Sequence, residues 1–197
     1  MKTGLIVLGV VILIVVGGIG WAIGINNQLV TQEQTVGEKW AQVQNVYQRR
    51  ADLIPNLVET VRGYAAQERT VLEEVTKARA SVAGIKATPE LVNDPEAFRK
   101  FQAAQQELSG ALARLLVTVE RYPDLKSNQN FLTLQSQLEG TENRIAVERM
   151  RYSEAVRDYN TRLRLFPGSL VASLRGFKEK PYFEAAPGSQ EAPKVKF

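Results

Sequence analysis

The sequence predicts an all-α protein in which an N-terminal transmembrane helix is followed by an antiparallel up-and-down helical bundle. Residues 4–25 contain no charged side chain and no Asn, Gln, Ser or Thr. Beyond them, apolar residues recur at alternating steps of three and four, which is the spacing of one face of a helix. Helices with one apolar stripe bury those stripes against each other, and this favours a bundle of three long helices.

The composition excludes most catalytic and metal chemistry. The 197 residues include no Cys and no His. The chain therefore has no disulfide, no cysteine nucleophile, no Ser-His-Asp triad and no histidine-ligated zinc or haem. The sequence also lacks a Gly-rich phosphate-binding loop and an EF-hand calcium loop. We predict that the protein binds no cofactor and no metal ion and is not an enzyme.

Residues 1–27 are predicted to form the membrane anchor. A helix over residues 4–25 would be about 33 Å long, and the hydrocarbon core of a bilayer is about 30 Å thick. Trp21, one turn before the end of the segment, suits the aromatic belt at a membrane interface. A cleaved signal peptide is the alternative, but its apolar core normally covers only about 7 to 15 residues and ends at small residues of the A-x-A type.

A few charges predict the orientation of the anchor. The amino terminus and Lys2 precede the apolar segment, whereas Glu33, Glu38 and Lys39 are the next charged residues after it. The positive-inside rule then keeps the N-terminus in the cytoplasm and places the remaining chain outside.

Gly20 and Gly24 form a GxxxG pattern within the anchor. Such a pattern allows two spans to pack closely, which would make the protein a homo-oligomer. Glycine is also common in membrane helices that do not dimerise, so the pattern has two interpretations.

The bundle domain is predicted to cover residues 28–177, beginning with a long first helix. If this helix continues to Ala83, residues 28–83 would extend roughly 80 Å. Pro55 lies inside it and removes the helical hydrogen bond to the Ala51 carbonyl, so we expect a kink there. The apolar stripe of this helix consists of Val36, Trp40, Val43, Tyr47, Ile54, Leu57, Val61, Tyr64, Val71, Val75, Ala78 and Val82.

Loop and capping signals place the later helices. Asp94 and Pro95 are the predicted N-cap and first residue of a second helix that continues to about residue 121. A third helix is predicted over about residues 127–166 and a short amphipathic helix over about residues 170–177.

Residues 178–197 are predicted to form an extended or disordered tail. Residues 193–197 alternate apolar and basic side chains, a pattern that would let them add a strand to the sheet edge of a partner. A tail of random composition explains the same pattern.

Four polar side chains occupy apolar-stripe positions, and they are the candidate interaction residues. A charge that faces a bundle core costs several kcal/mol unless it is paired, so Arg50 requires a carboxylate or carbonyl partner. Arg50 and Glu68 would lie roughly 27 Å apart on one continuous helix and cannot pair with each other. The set is interpreted either as a polar ligand site or as residues that fix helix register. Its members are Arg50, Glu68, Gln105 and Glu148.

The C-terminal part of the bundle is basic, with nine Lys or Arg residues against four acidic residues between positions 144 and 180. Such a face would meet anionic lipid headgroups or an acidic envelope polymer. Because acids are interleaved, a solvated, salt-bridged face is the alternative. The modest positive excess disfavours nucleic acid as a partner. The residues of this basic face are Arg144, Arg151, Arg157, Arg164 and Arg175.

Several strings in the sequence resemble the signature of the LemA family. Residues 49–58 read RRADLIPNLV and residues 121–125 read RYPDL, and further agreement comes from Tyr159-Asn160 and Phe166-Pro167. The resemblance covers nearly the whole chain after the anchor. It implies a protein of the bacterial inner membrane with one N-terminal anchor, a four-helix bundle outside the cytoplasm and no established enzymatic activity.

These observations predict a non-enzymatic scaffold or adaptor of the bacterial envelope. We expect membrane lipid to contact the anchor, and the other predicted partners are an envelope protein or a second copy of the chain. The alternative hypothesis is a ligand-sensing or accessory subunit of a membrane complex, with a ligand site around Glu68 and Glu148.

Overall fold

A computed structural model describes residues 2–184. These residues form only helices and connecting segments, with no strand among them, which confirms the all-α prediction. The six α-helices are α1 (Lys2–Tyr64), α2 (Arg69–Gly84), α3 (Pro95–Val119), α4 (Pro123–Lys126), α5 (Gln129–Arg164) and α6 (Gly168–Arg175), and a 3-10 helix covers Pro89–Asn93.

Helix α1 joins the apolar segment to the bundle without interruption. Its N-terminal part is long and apolar enough to cross a membrane, and none of the described side chains in the apolar stretch that begins at Ile6 is buried by the protein. Among the α1 residues whose side chains the structure describes, Ile25 is the first that is buried, and Leu29 follows one turn later. From Asn26 to Tyr64 the helix extends about 57 Å, so no flexible linker separates the apolar segment from the bundle.

The first helix of the bundle ends earlier than the sequence predicts. α1 stops at Tyr64, and residues 65–68 form a turn before α2 begins. The expected continuation to Ala83 is therefore wrong, because α2 folds back to pack on α3 and buries a stripe that a straight helix would expose. The predicted stripe fails only beside this turn: Tyr64 is exposed and Leu72 is buried more deeply than Val71, whereas Val75 and Ala78 are buried as predicted.

The long helices pack in antiparallel pairs, as expected for an up-and-down bundle. Contacts between α1 and α5 progress in opposite directions along the two helices: Gln28 with Arg162, Arg50 with Glu142, and Tyr64 with Asn128. Contacts between α2 and α3 do the same: Glu68 with Arg121 and Glu74 with Arg114. Helices α1, α2, α3 and α5 thus form the four-helix bundle that the family resemblance implies.

The starts of α3 and α5 follow from their capping residues. Asp94 Oδ1 accepts hydrogen bonds from the backbone N–H groups of Glu96 and Ala97, and Pro95 is the first helical residue, as predicted. Asn128 caps α5 in the same manner. Each cap satisfies N–H groups that have no partner within the helix.

The buried apolar residues form two clusters along the bundle. The proximal core lies towards the apolar segment and contains Ile25 to Tyr47 of α1, Phe98 and Phe101 of α3, and Ile145 to Leu163 of α5. The distal core contains Ile54 to Val61 of α1, Ala65 of the following turn, the buried face of α2, Leu108 to Val119 of α3, and Phe131 and Leu138 of α5.

Residues 178–184, which we call the C-terminal strap, follow α6 without helix or strand and pack against the proximal core. The Asn160 side chain pairs with the Lys180 backbone, donating to its carbonyl at 2.9 Å and accepting from its N–H at 3.0 Å. Phe183 places its ring 4.9 Å from that of Phe98. Lys180 is buried, and its Nζ donates to Glu33 at 2.6 Å. Residues 185–197, including the predicted strand-forming residues 193–197, lie outside the described residues.

Candidate functional site

Arg50 occupies the boundary between the two cores, one turn after Tyr47 and one turn before Ile54. Its side chain is only 1% exposed. The guanidinium donates from Nη1 to Ser109 Oγ at 2.8 Å and to Glu142 Oε2 at 2.8 Å. It also donates from Nη2 to Gln105 Oε1. One side chain thus connects α1, α3 and α5, and we call Arg50, Gln105, Ser109 and Glu142 the polar layer.

The ion pair of the polar layer is asymmetric. Arg50 is almost fully buried, whereas the Glu142 side chain is 54% exposed. The free-energy cost of removing the pair from water therefore falls mainly on the guanidinium. A guanidinium tolerates such burial because it is planar and has five N–H donors that can bind neighbouring acceptors. The guanidinium carbon also lies 5.2 Å from the centre of the Tyr47 ring, within the range of a cation–π contact.

A cleft of about 320 Å³ opens beside the polar layer. Arg149 and Tyr47 line it together with Arg50 and Glu142. Within the described residues, Arg50 Nε is buried and has no hydrogen-bond partner. Burial raises the pKa of Tyr47, although the charges of Arg149 and Arg50 oppose this effect, so the hydroxyl stays neutral at physiological pH. Beside the Glu142 carboxylate, the Arg149 guanidinium, the unpaired Arg50 Nε and a neutral hydroxyl are donors available to a small anion.

Of the other three candidate interaction residues predicted from the sequence, only Gln105 contacts Arg50 in the structure. Glu68 lies at the far end of the bundle, where it precedes α2 and accepts hydrogen bonds from Tyr122 Oη at 2.6 Å and Arg121 Nη2 at 3.0 Å. The bond from Tyr122 to the Glu68 carboxylate raises the pKa of that tyrosine. The first two residues of the RYPDL string of the family signature therefore bind Glu68.

Glu148 pairs with Arg151 one turn later on α5, at 2.8 Å. Its side chain is half-buried and takes no part in the polar layer. Because Glu68 and Glu148 have separate partners at different levels of the bundle, the structure does not bring them together in one site.

Sequence reasoning did not identify the other members of the polar layer or of its cleft. Ser109, Glu142 and Arg149 occupy positions beside the apolar stripes rather than within them. The requirement of Arg50 for a carboxylate or carbonyl partner was visible in the sequence. The choice of Glu142 was not, because that residue is 92 positions away and the contact depends on how α1 and α5 align.

Pro55 leaves a backbone carbonyl of α1 free to accept a hydrogen bond from α2. Proline has no N–H, so the Ala51 carbonyl loses its helical hydrogen bond. The side chain of Arg79 on α2 donates from Nε to this carbonyl at 3.0 Å. The same proline that weakens α1 therefore provides the acceptor that holds α2 against it.

Acidic or amide groups accompany most of the basic face. Arg151 pairs with Glu148, and Arg157 lies 3.2 Å from Asp158. Arg164 donates two hydrogen bonds to Glu179 at 2.6 and 2.7 Å, and these lower the pKa of that carboxyl group. Arg175 donates to Asn26 at 3.2 Å, and Arg144 is exposed. Because neighbouring carboxylates neutralise several of these arginines, the net positive charge of the face is smaller than the number of arginines indicates.

Within residues 2–184, no three acidic side chains lie close enough together to hold a metal ion. The polar layer instead combines one carboxylate with a guanidinium that already neutralises it. Its chemistry is that of hydrogen bonding and charge recognition, and it offers no nucleophile beside a base.

Comparison with known proteins identifies the family of the chain. A sequence model of the LemA family matches residues 39–197, which include the whole polar layer. Similar proteins include "Magnetosome protein MamQ 2" of Paramagnetospirillum magneticum and "Magnetosome protein MamQ" of Magnetospirillum gryphiswaldense. Each is 27% identical over 177 residues, a match that covers 82% of this chain and 65% of the relative.

The family match extends over most of the chain and contains both signature strings. The magnetosome proteins are longer than the part that this chain matches. Together with the apolar part of α1, which is long enough to cross a bilayer, these findings describe a membrane-associated protein. The chain belongs to the LemA family.

Proposed function

We propose that this protein is a non-enzymatic scaffold or adaptor anchored in the bacterial inner membrane, with its N-terminus in the cytoplasm and its bundle outside. The observation that carries the proposal is the continuity of α1, which passes from the apolar segment into the bundle core without a linker. A rigid connection holds the distal end of the bundle about 57 Å from the membrane surface. A scaffold requires its binding surface to be held at a defined distance from the membrane and in a defined direction. A mobile ligand carrier does not require either.

In-membrane crosslinking of the full-length protein in a bacterium, followed by mass spectrometry, tests this proposal. The matched control is a variant with a flexible Gly-Ser segment inserted after Asn27, which keeps both the anchor and the bundle but interrupts α1. We expect one stoichiometric protein partner with the unaltered chain and a severalfold lower yield with the insertion. Equal yields would contradict a role for the rigid connection, and recovery of only the protein itself would favour a self-assembling scaffold.

The absence of cysteine makes the orientation directly measurable. A Val117→Cys variant carries a thiol at an exposed position of α3, far from the apolar segment. A membrane-impermeant maleimide should label this thiol in cells whose outer barrier is opened but whose inner membrane is intact. Labelling only after the inner membrane is disrupted would place the bundle in the cytoplasm.

The cleft beside Arg50 favours a second candidate function, namely ligand sensing as a subunit of a membrane complex. Small carboxylate and phosphate anions should then raise the thermal unfolding temperature of the full chain in detergent. The effect should disappear in Arg149→Gln, which removes one cationic wall of the cleft and leaves the buried Arg50 contacts in place. An equal rise in both proteins would show that the anions act elsewhere, and no rise would contradict the sensing hypothesis.

A further inference from the structure

The surface of the bundle carries an apolar patch where α1 leaves its apolar segment. Leu165 and Phe166 of the α5–α6 turn and Leu170 and Leu174 of α6 are all exposed, with Leu174 exposed by 78% and Phe166 by 76%. Other exposed apolar side chains of the bundle are less clustered: Val117 lies alone on α3, and Val147 and Met150 form a pair on α5. A contiguous patch of this kind marks an interaction surface.

The patch lies beside the apolar segment. The Phe166 ring is centred 6.3 Å from that of Trp21. Leu174 borders a groove whose other wall includes Ile19 and Ile23 of α1. Because Trp21, Ile19 and Ile23 belong to the segment that crosses the bilayer, Phe166 and Leu174 reach the same depth as its last turns.

Helix α6 is apolar on two opposite faces. Val171 and Ala172 are buried in the proximal core, in the same cluster as Ile25. Leu170 and Leu174, which are four residues apart, point away from this core and are exposed. An amphipathic helix on a water-facing surface would carry polar residues there, so the exposed face of α6 is suited to an apolar environment.

Two arginines lie at the boundary of this patch. Arg175 donates to Asn26 at 3.2 Å, and Arg162 donates to Gln28. Asn26 and Gln28 are among the first polar residues after the apolar segment. Neither arginine forms an ion pair with an acid in the part of the chain that the structure describes. Their charges therefore lie at headgroup level and complement lipid phosphates.

We propose that α6 and the α5–α6 turn form a second membrane contact beside the anchor. Leu165, Phe166, Leu170 and Leu174 insert at the boundary of the headgroups and acyl chains, and Arg162 and Arg175 bind the phosphates of anionic lipids. A single spanning helix leaves the bundle free to rotate about the helix axis. Contact at a second point fixes which face of the bundle is turned away from the membrane, and this goes beyond the proposed scaffold role.

Spin labels on the full chain, reconstituted in vesicles of phosphatidylethanolamine and phosphatidylglycerol, test the proposal. Because the sequence has no cysteine, Leu170→Cys and Leu174→Cys each give one labelled position. We expect both labels to collide severalfold more with dissolved oxygen, which concentrates in lipid, than with a water-soluble nickel complex. Val117→Cys, at a position exposed by 72% and remote from the membrane, should show the opposite ratio.

Nickel collisions at Leu170→Cys and Leu174→Cys that equal those at Val117→Cys would overturn the proposal. Shielding from both reagents would also overturn it, because a protein surface, such as a second copy of the chain, would then cover the patch. Unchanged circular dichroism and an unchanged unfolding temperature of each labelled variant show that the bundle remains folded.

The lipid-phosphate part of the proposal has its own test. Replacing phosphatidylglycerol by phosphatidylcholine should move the Leu174→Cys label towards water, and the pair Arg162→Gln and Arg175→Gln should do the same in the original vesicles. Arg157→Gln is the matched control, because this arginine pairs with Asp158 and lies outside the patch. An unchanged label position in both cases would remove the arginines from the membrane contact.

Discussion

The two cores of the bundle differ in composition and in what surrounds them. In the proximal core, the Trp40 ring is centred 5.6 Å from the rings of Phe98 and Phe101 and 5.7 Å from that of Tyr152. The distal core is mainly aliphatic, and Phe131 is its one fully buried aromatic ring within the described residues.

The difference follows from the number of helices at each level. In the distal half, α2 provides a fourth helix, and branched aliphatic side chains fill the narrow space between four helices. In the proximal half, the segment between α2 and α3 contributes only the 3-10 helix in place of a fourth long helix, so larger rings, α6 and the C-terminal strap fill the remaining volume. The polar layer lies at the boundary between the distal half, which has four helices, and the proximal half, in which aromatic rings fill the core. Two kinds of core within one bundle imply two regions that open separately.

The largest expected effect is at the centre of the proximal core. Trp40→Ala should lower the free energy of unfolding by about 4 kcal/mol, because removal of a buried aromatic side chain leaves a large cavity. The matched change in the distal core, Leu115→Ala, should cost about 3 kcal/mol. Thermal unfolding of the full chain in detergent measures the loss of stability in both variants. Hydrogen exchange of backbone amides shows which helices each variant destabilises. If Trp40→Ala accelerates exchange equally in α2, the two cores open together.

The next effect concerns the residue between the cores. Arg50→Ala should destabilise the protein by about 3 kcal/mol through lost packing and lost hydrogen bonds. Arg50→Met keeps most of the volume without the charge, and an apolar replacement of a buried ion is often nearly neutral, so we expect a cost below about 1 kcal/mol. Equal losses in the two variants, measured by the same unfolding experiment, would show that the charge rather than the volume stabilises this layer.

A close backbone approach gives a smaller effect in the proximal half. A Cβ atom on Gly168 would collide with the Arg162 carbonyl oxygen, so Gly168→Ala forces the α5–α6 turn to move. We expect a loss of about 2 kcal/mol. Gly140→Ala in α5 is the control, since it meets nothing within 4 Å and should stabilise the helix by about 1 kcal/mol. Stabilisation by both changes would contradict the tight turn.

The smallest effect concerns the attachment of α2. Arg79→Met should cost about 1 kcal/mol, the contribution of one hydrogen bond to the Ala51 carbonyl. Pro55→Ala restores the helical donor to that carbonyl, so Arg79→Met should cost less in the Pro55→Ala background. A double-mutant cycle measures the coupling directly. Additive changes would mean that the two residues stabilise the protein independently.

Much of this architecture was predictable because local patterns determine it. The stripe residues Val36, Trp40 and Leu57 are buried, and Asp94 caps α3, as the sequence indicates. The turn at residues 65–68 was not predicted, because the stripe continues through it at nearly the same spacing. Only the packing of α2 against α3 reveals the change of direction.

The candidate site was less predictable because it depends on contacts between helices. The position of Arg50 in a stripe required a partner, but nothing local distinguishes Glu142 from the other exposed acids of α5. The contact of the strap was equally hidden. The composition of residues 178–184 resembles that of a free tail, and their order in the structure comes from Asn160 and from the aromatic rings that receive Phe183.

Because α1 is unbroken, its apolar part in the bilayer and its part in the bundle tilt together. Helices adjust their tilt when the hydrocarbon thickness of the membrane changes. A change of about 10° in tilt would carry Tyr64 sideways by about 10 Å, because the part of α1 in the bundle is about 57 Å long. A small alteration in lipid thickness would therefore be amplified into a large lateral displacement at the distal end of the bundle.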